Sequence, residues 1–144
     1  MSIVADVSVV LVGEDARVPN KVYAGDAGHD LFTDQEVVVK PGGYANLPTG
    51  VSMELPPGFW ALIVGRSSAS TVVGVSVVPG IIDNGYRGEL FVRVYNPSAK
   101  AKTILKHQRI GQVIVMPLTI ARFKQVKSLG SGSRGTNGFG STGE

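Results

Sequence analysis

Apolar residues in this chain recur in short β-branched runs separated by glycine and proline, and no stretch sustains the 3.6-residue period of a helix. Strands are predicted over Ile3 to Leu11, with Val7, Val9 and Leu11 on alternate positions, and over Val37 to Val39 and Tyr44 to Leu47 around the turn Pro41-Gly42-Gly43. Val51 to Leu55 and Phe59 to Val64 flank a hairpin-like break at Pro56-Pro57-Gly58. Further strands are predicted over Val75 to Val78, Glu89 to Tyr95, Gln112 to Met116 and Ala121 to Val126. Within Glu89 to Tyr95, Leu90, Val92 and Val94 fall on one face and Glu89, Phe91, Arg93 and Tyr95 on the other. One short helical turn is expected from Ser67 to about Val73, where a serine can cap the first amides. The whole reads as an all-β sandwich or barrel.

The sharpest local signal is Asn84-Gly85, inside Pro79-Gly80-Ile81-Ile82-Asp83-Asn84-Gly85-Tyr86-Arg87-Gly88-Glu89. Asn-Gly between apolar runs predicts a two-residue type I′ hairpin, because both central residues then need positive φ. Asp83 enters that turn and Tyr86 leaves it. On their own, the first reads as a turn residue and the second as a half-buried strand aromatic.

Composition narrows the chemistry. At 144 residues with 43% hydrophobic and 17% charged, the chain suits one folded domain rather than disorder. No apolar run reaches the roughly 20 residues that span a bilayer, and the N-terminus lacks a signal-peptide layout, so a cytoplasmic protein without a membrane role is expected. There is no cysteine, which removes disulfides, thiolate metal sites and thiol nucleophiles. With only His29 and His107, a serine–histidine triad or a multi-histidine metal site is a poor fit, and proton chemistry falls to carboxylates. A net charge of +3 is too small and scattered for a nucleic-acid surface, yet it suits a small polyanion.

From Leu129 onward the chain turns glycine- and serine-rich, so the expected division is a core over 1–128 and a flexible arm over 129–144. By composition the arm is a linker. It nevertheless carries an arginine, a phenylalanine and a Ser-Thr pair, groups able to clamp phosphates and stack on a base.

Five stretches stand in order: Gly25-Asp26-Ala27-Gly28-His29-Asp30-Leu31, Gly65-Arg66-Ser67-Ser68-Ala69-Ser70, Gly80 to Gly88, Arg109-Ile110-Gly111-Gln112-Val113-Ile114, and Arg134 to Gly143. Read alone, Asp30 could pair with backbone, Ser67 and Ser68 could be an ordinary cap, and Gln112 an edge-strand residue. Together their order and spacing resemble the trimeric dUTPases, over nearly the whole chain.

That resemblance implies a β jelly roll assembled as a homotrimer whose active sites are shared between subunits. It also implies hydrolysis of dUTP to dUMP and pyrophosphate with Mg²⁺. Asp83 would be the general base that activates water against the α-phosphate. Asp30 would hold water around the metal, which keeps several waters and binds mainly through substrate phosphates. Ser67, Ser68 and Gln112 would contact phosphates, with Arg66 bracing the site and Arg109 supporting the local structure or the docking tail. Main-chain groups around Gly80 and Ile82 would read the uracil edge, and Tyr86 would lie against the deoxyribose. In the arm, Phe139 would stack on uracil beside Gly140, while Arg134, Ser141 and Thr142 take the γ-phosphate. His29 is expected at the surface. Val77 stands where many bacterial relatives carry a uracil-contacting asparagine, which leaves base reading to main-chain groups.

Two other functions share the fold. The related dCTP deaminases usually carry tryptophan at the Tyr86 position and a catalytic glutamate where Arg93 stands, and an arginine cannot shuttle that proton. A nucleotide-responsive binding or regulatory protein is the alternative from another class, and an additional protein partner is compatible with either.

Overall fold

The computed structural model describes residues 3–66 and 74–138; the helical turn expected from Ser67 to Val73 lies outside them. Ten strands follow one another: β1 (Ser8–Leu11), β2 (His29–Phe32), β3 (Val37–Val39), β4 (Tyr44–Glu54), β5 (Phe59–Gly65), β6 (Ser76–Val78), β7 (Gly80–Ile82), β8 (Glu89–Tyr95), β9 (Lys102–Ile104) and β10 (Arg109–Pro117). Among the described residues there is no helix. Two four-stranded sheets, β1-β4-β8-β6 and β2-β10-β5-β7, are joined by the small sheet β3-β9, and every pairing is antiparallel. The fold is a jelly-roll-like β-sandwich.

Alternation along the strands builds the core. Leu90, Val92 and Val94 of β8 are fully buried and meet Leu47, Val51 and Met53 of β4, with Ala61 and Ile63 of β5 and Ile110 and Val113 of β10 from the opposite sheet. Truncating one of the buried leucines, such as Leu47, to alanine should cost about 2–5 kcal/mol.

Several elements differ from expectation. The Asn84-Gly85 turn is not type I′, since neither residue has positive φ, and it closes no hairpin: β7 pairs with β5 while β8 pairs with β4 and β6. The turn instead carries the chain from one sheet to the other. Pro56-Pro57-Gly58 does likewise between β4 and β5, with Gly58 at φ 87°. Tyr44 to Leu47 and all of Val51 to Leu55 except Leu55 itself belong to one strand, β4, whose register shifts between Pro48 and Ser52. Proline is tolerated at that irregularity, where side chains take over from the ladder, Thr49 Oγ1 donating to Leu90 O at 2.6 Å and Gly50 N to Glu89 Oε2 at 3.1 Å. The first strand is shorter than expected; Val7 and Val9 pack on the core, but Leu11 is 45% exposed. Ala121 to Val126 forms no strand in the chain, and Phe123 is wholly exposed. All described residues after Pro117 are strand-free.

Candidate active site

The second half of the Gly25–Leu31 stretch is the beginning of β2, which pairs with β10 so that Asp30 lies opposite Gln112 and Phe32 opposite Arg109. Because successive side chains alternate, Leu31 enters the core while Asp30 turns the other way. Its carboxylate, only 13% exposed, is held by two guanidiniums: Arg66 Nε stands 3.0 Å from Oδ1 and Arg109 Nη1 3.5 Å from Oδ2. Arg66 Nη1 also donates to the main-chain oxygen of Arg109 at 3.2 Å. Arg109 lies 5.1 Å from the Phe32 ring centre, and Arg17 lies 5.7 Å from the same ring. Two arginines around one carboxylate leave an excess positive charge at the end of the sheet, which favours an anion.

Gln112 is fixed beside this cluster. Its Nε2 donates to Gly65 O at 3.0 Å, and its Oε1 would stand 2.1 Å from a Cβ added at Gly28. Only glycine at 28 allows that approach. The sequence reading assigned Gly28 no role, and missed that Arg109 shares Asp30 with Arg66. The only local signal was a glycine two residues before an acid.

The Asp83 turn is built differently. Tyr86 N donates to Asp83 O at 3.0 Å, closing a four-residue turn. Asn84 Nδ2 donates to Pro56 O at 2.9 Å and Phe59 O at 2.8 Å, so its amide pins the turn to the β4–β5 connection. Arg87 Nη1 returns to Asn84 O at 2.8 Å. Tyr86, 42% exposed, donates its hydroxyl to Glu89 O at 2.7 Å, and a Cβ at Gly88 would stand 2.6 Å from that hydroxyl oxygen. Asp83 itself is exposed, and Gly80 and Ile82 are half-buried on β7.

Within one chain the two groups do not meet. Ile82 pairs with Ala61, whereas Gly111 pairs with Gly65, four residues further along β5 or about 13 Å. Asp83 and Tyr86 therefore lie at one end of β5, and Arg66, Asp30 and Gln112 at the other. Val77, opposite Val94, packs toward the core with its Cβ 3.3 Å from where a Cβ of Gly65 would be. Arg134 sits in an exposed turn in which Asn137 N donates to Arg134 O at 3.1 Å. Ser67, Ser68, Phe139, Gly140, Ser141 and Thr142 lie outside the described residues.

A cleft of about 870 Å³ opens elsewhere, between the N-terminal segment and the β2-β10 face, lined by Val7, Met53, Phe59, Val113, Lys21 and His29 among others. It is mostly apolar, and none of the predicted site residues lines it. Polar groups converge instead at the Asp30–Arg66–Arg109 cluster. His29 is half-buried there rather than fully at the surface, and burial, with Lys21 adding to it, pushes its imidazole below the ordinary value while Asp30 opposes the shift. Among the described residues no three histidines or carboxylates converge into a metal cage. Nor is any helix there long and apolar enough to cross a membrane.

Fold and site together define an antiparallel β protein with an arginine–carboxylate cluster suited to a phosphorylated ligand. Residues 14–143 match the dUTPase family model, and the chain belongs to that family. It is 38% identical over 138 residues to a deoxyuridine 5'-triphosphate nucleotidohydrolase of Clostridium tetani, covering 94% of this chain and 95% of that one. The corresponding protein of Leifsonia xyli is 44% identical over 130 residues, 88% and 86% of the two chains. A Staphylococcus bacteriophage 80alpha dUTPase with dUPNHPP superposes with a TM-score of 0.86 at 29% identity, covering 96% of this chain and 99% of that one.

Proposed function

We propose that the chain hydrolyses dUTP to dUMP and pyrophosphate, with Asp83 as the base. The observation that carries this reading is the family match from residue 14 to 143, which runs through all five stretches. The reaction adds one water across the α–β phosphate bond. The Asp83 carboxylate takes the proton of that water as its oxygen bonds to the α-phosphorus, and pyrophosphate departs. Such a base contributes about 10²–10⁴-fold, the remainder coming from positioning and charge neutralisation.

Arg66, Ser67, Ser68 and Gln112 bind the phosphates at the positively charged end of β5. Main-chain groups near Gly80 and Ile82 read uracil, whose donor and acceptor edge differs from that of cytosine. Tyr86, fixed through Glu89 O, covers the sugar face where a 2′-hydroxyl would project. Phe139 and Gly140 close over the base, with Arg134, Ser141 and Thr142 on the γ-phosphate. Stacking of an aromatic on a base is worth about 1–3 kcal/mol.

Since Asp83 and the Asp30–Arg66 cluster sit at opposite ends of β5 in one chain, a complete site draws them from different copies. A homotrimer with shared sites is the assembly proposed. Mg²⁺ fits as a triphosphate-bound ion: no carboxylate cage offers itself among the described residues, while each Asp30 oxygen keeps a lone pair beyond its arginine contact to accept from a metal-bound water. A phage phi11 dUTPase of 25% identity is described with a structural Mg(II) ion. When bound, the ion would neutralise phosphate charge. Arg93 gives no support to deamination, because its guanidinium lies 4.8 Å from the Tyr44 ring centre and donates to Asn46 Oδ1 at 3.1 Å.

Pyrophosphate release measured with Mg²⁺ across dUTP, dTTP, dCTP and UTP tests the reading. Turnover of dUTP well above the other three is expected; equal turnover of all four, or none of dUTP, would overturn it.

A further inference from the structure

Among the described residues, one other than glycine has positive φ: His107, at 65°. It is the third residue of the turn Leu105-Lys106-His107-Gln108 between β9 and β10, closed by Gln108 N to Leu105 O at 3.1 Å. That position of such a turn favours glycine, so a histidine there needs compensating contacts. They are present on every side. His107 N donates to Thr33 O at 2.8 Å, Thr33 Oγ1 to Leu105 O at 2.9 Å, and Leu105 N to Gln108 Oε1 at 3.0 Å. The imidazole Nε2 lies 2.7 Å from Asp15 O, and since a carbonyl oxygen only accepts, this nitrogen carries hydrogen and donates. Lys106 Nζ adds an ion pair to Asp15 Oδ2 at 2.6 Å.

The turn thus ties three segments together, the loop at Asp15, the end of β2 at Thr33, and the start of β10. The next residue but one after His107 is Arg109, whose main-chain oxygen receives Arg66 and whose guanidinium reaches Asp30. The register shift between Arg109 and Gly111 lets that oxygen leave the regular ladder. We propose that His107 is a positioning residue: its left-handed backbone and its tether to Asp15 O set the Arg109 carbonyl that orients Arg66 on Asp30. The kinetic part of this inference rests on the dUTP reading; the geometric part does not.

The test uses the full chain as wild type, His107→Ala, His107→Gly and His107→Gln. Glutamine carries its amide nitrogen about as far from the backbone as Nε2 and can donate to Asp15 O, whereas alanine has no donor there. The alanine variant should lose about three- to tenfold in kcat/KM for dUTP. Its Arg66 Nε–H, followed by nitrogen-resolved NMR, should exchange faster with water, and the glutamine variant should restore both values. If the alanine variant does not fold, the glycine variant carries the measurement, because it keeps the backbone conformation and removes only the tether. Unchanged kinetics and Arg66 exchange in the alanine or glycine variant, even with a lower melting temperature, would overturn the proposal, as would failure of glutamine to restore. Should wild type not turn over dUTP, the functional reading falls, and the Arg66 signal still decides the role of His107.

Discussion

Arg66 and Asp30 are joined across two strands, Arg66 Nε standing 3.0 Å from Asp30 Oδ1, with Arg109 on the other carboxylate oxygen at 3.5 Å. Among the described residues, this carboxylate is the one anionic partner of either guanidinium. Replacing Asp30 with asparagine keeps the shape and removes the charge that holds two arginines side by side. Unfolding free energy should fall by about 1–3 kcal/mol, and dUTP hydrolysis by at least about tenfold. Urea titration and steady-state kinetics on the same preparation check both; unaltered activity would detach the cluster from the site.

Asp83 is exposed at the turn and, among the described residues, holds no ion pair that competes with its assigned task. Asp83→Asn should reduce kcat by about 10²–10⁴-fold while a non-hydrolysable dUTP analogue still binds, as read by calorimetry. Near-normal turnover would take the base role away from Asp83.

Gly88 leaves the space that the Tyr86 hydroxyl occupies, the separation from an added Cβ being only 2.6 Å. Gly88→Ala should push the ring off Glu89 O, and the preference for dUTP over UTP should shrink. Comparison of kcat/KM for the two nucleotides measures this. A ratio equal to that of wild type would mean that Tyr86 does not exclude the ribose hydroxyl.

Removal of residues 134–144 should cripple turnover yet leave the melting transition cooperative, since the buried core includes none of the described residues in that segment. Calorimetric melting and pyrophosphate release, run side by side, distinguish an arm that completes the site from a linker; full activity after truncation identifies a linker.

Burial, reinforced by Lys21, holds the His29 imidazole below its usual value near 6.5. The unfolded chain then takes up this proton at higher pH than the folded one, so stability rises with pH through the interval below about 6.5 and falls on acidification. Urea midpoints at about pH 7 and about pH 5 should differ less in His29→Gln than in wild type. An identical difference in both would assign the acid sensitivity to other groups.

Much was readable along the chain because it depends on neighbours. The alternation that buries Leu90, Val92 and Val94 is a property of one strand, and it needed no partner to be recognised. The turn at Asp83 to Tyr86 was placed correctly, but its type was not. Asn84 serves by donating to Pro56 O and Phe59 O rather than by adopting positive φ, and those carbonyls come from a distant connection. Ala121 to Val126 has a strand's composition and no strand partner among the described residues.

The order of residues thus determined the all-β character, the turn positions, the shortage of imidazoles and thiols, and the five stretches that mark the family. Only the tertiary structure decided that β7 joins β5 rather than β8, that Asp30 is shared by Arg66 and Arg109, and that Asp83 stands at the far end of the same strand. The reason is physical: a strand's own backbone offers the same donors and acceptors to any partner, so register and the meeting of distant charges are settled by packing of the two sheets.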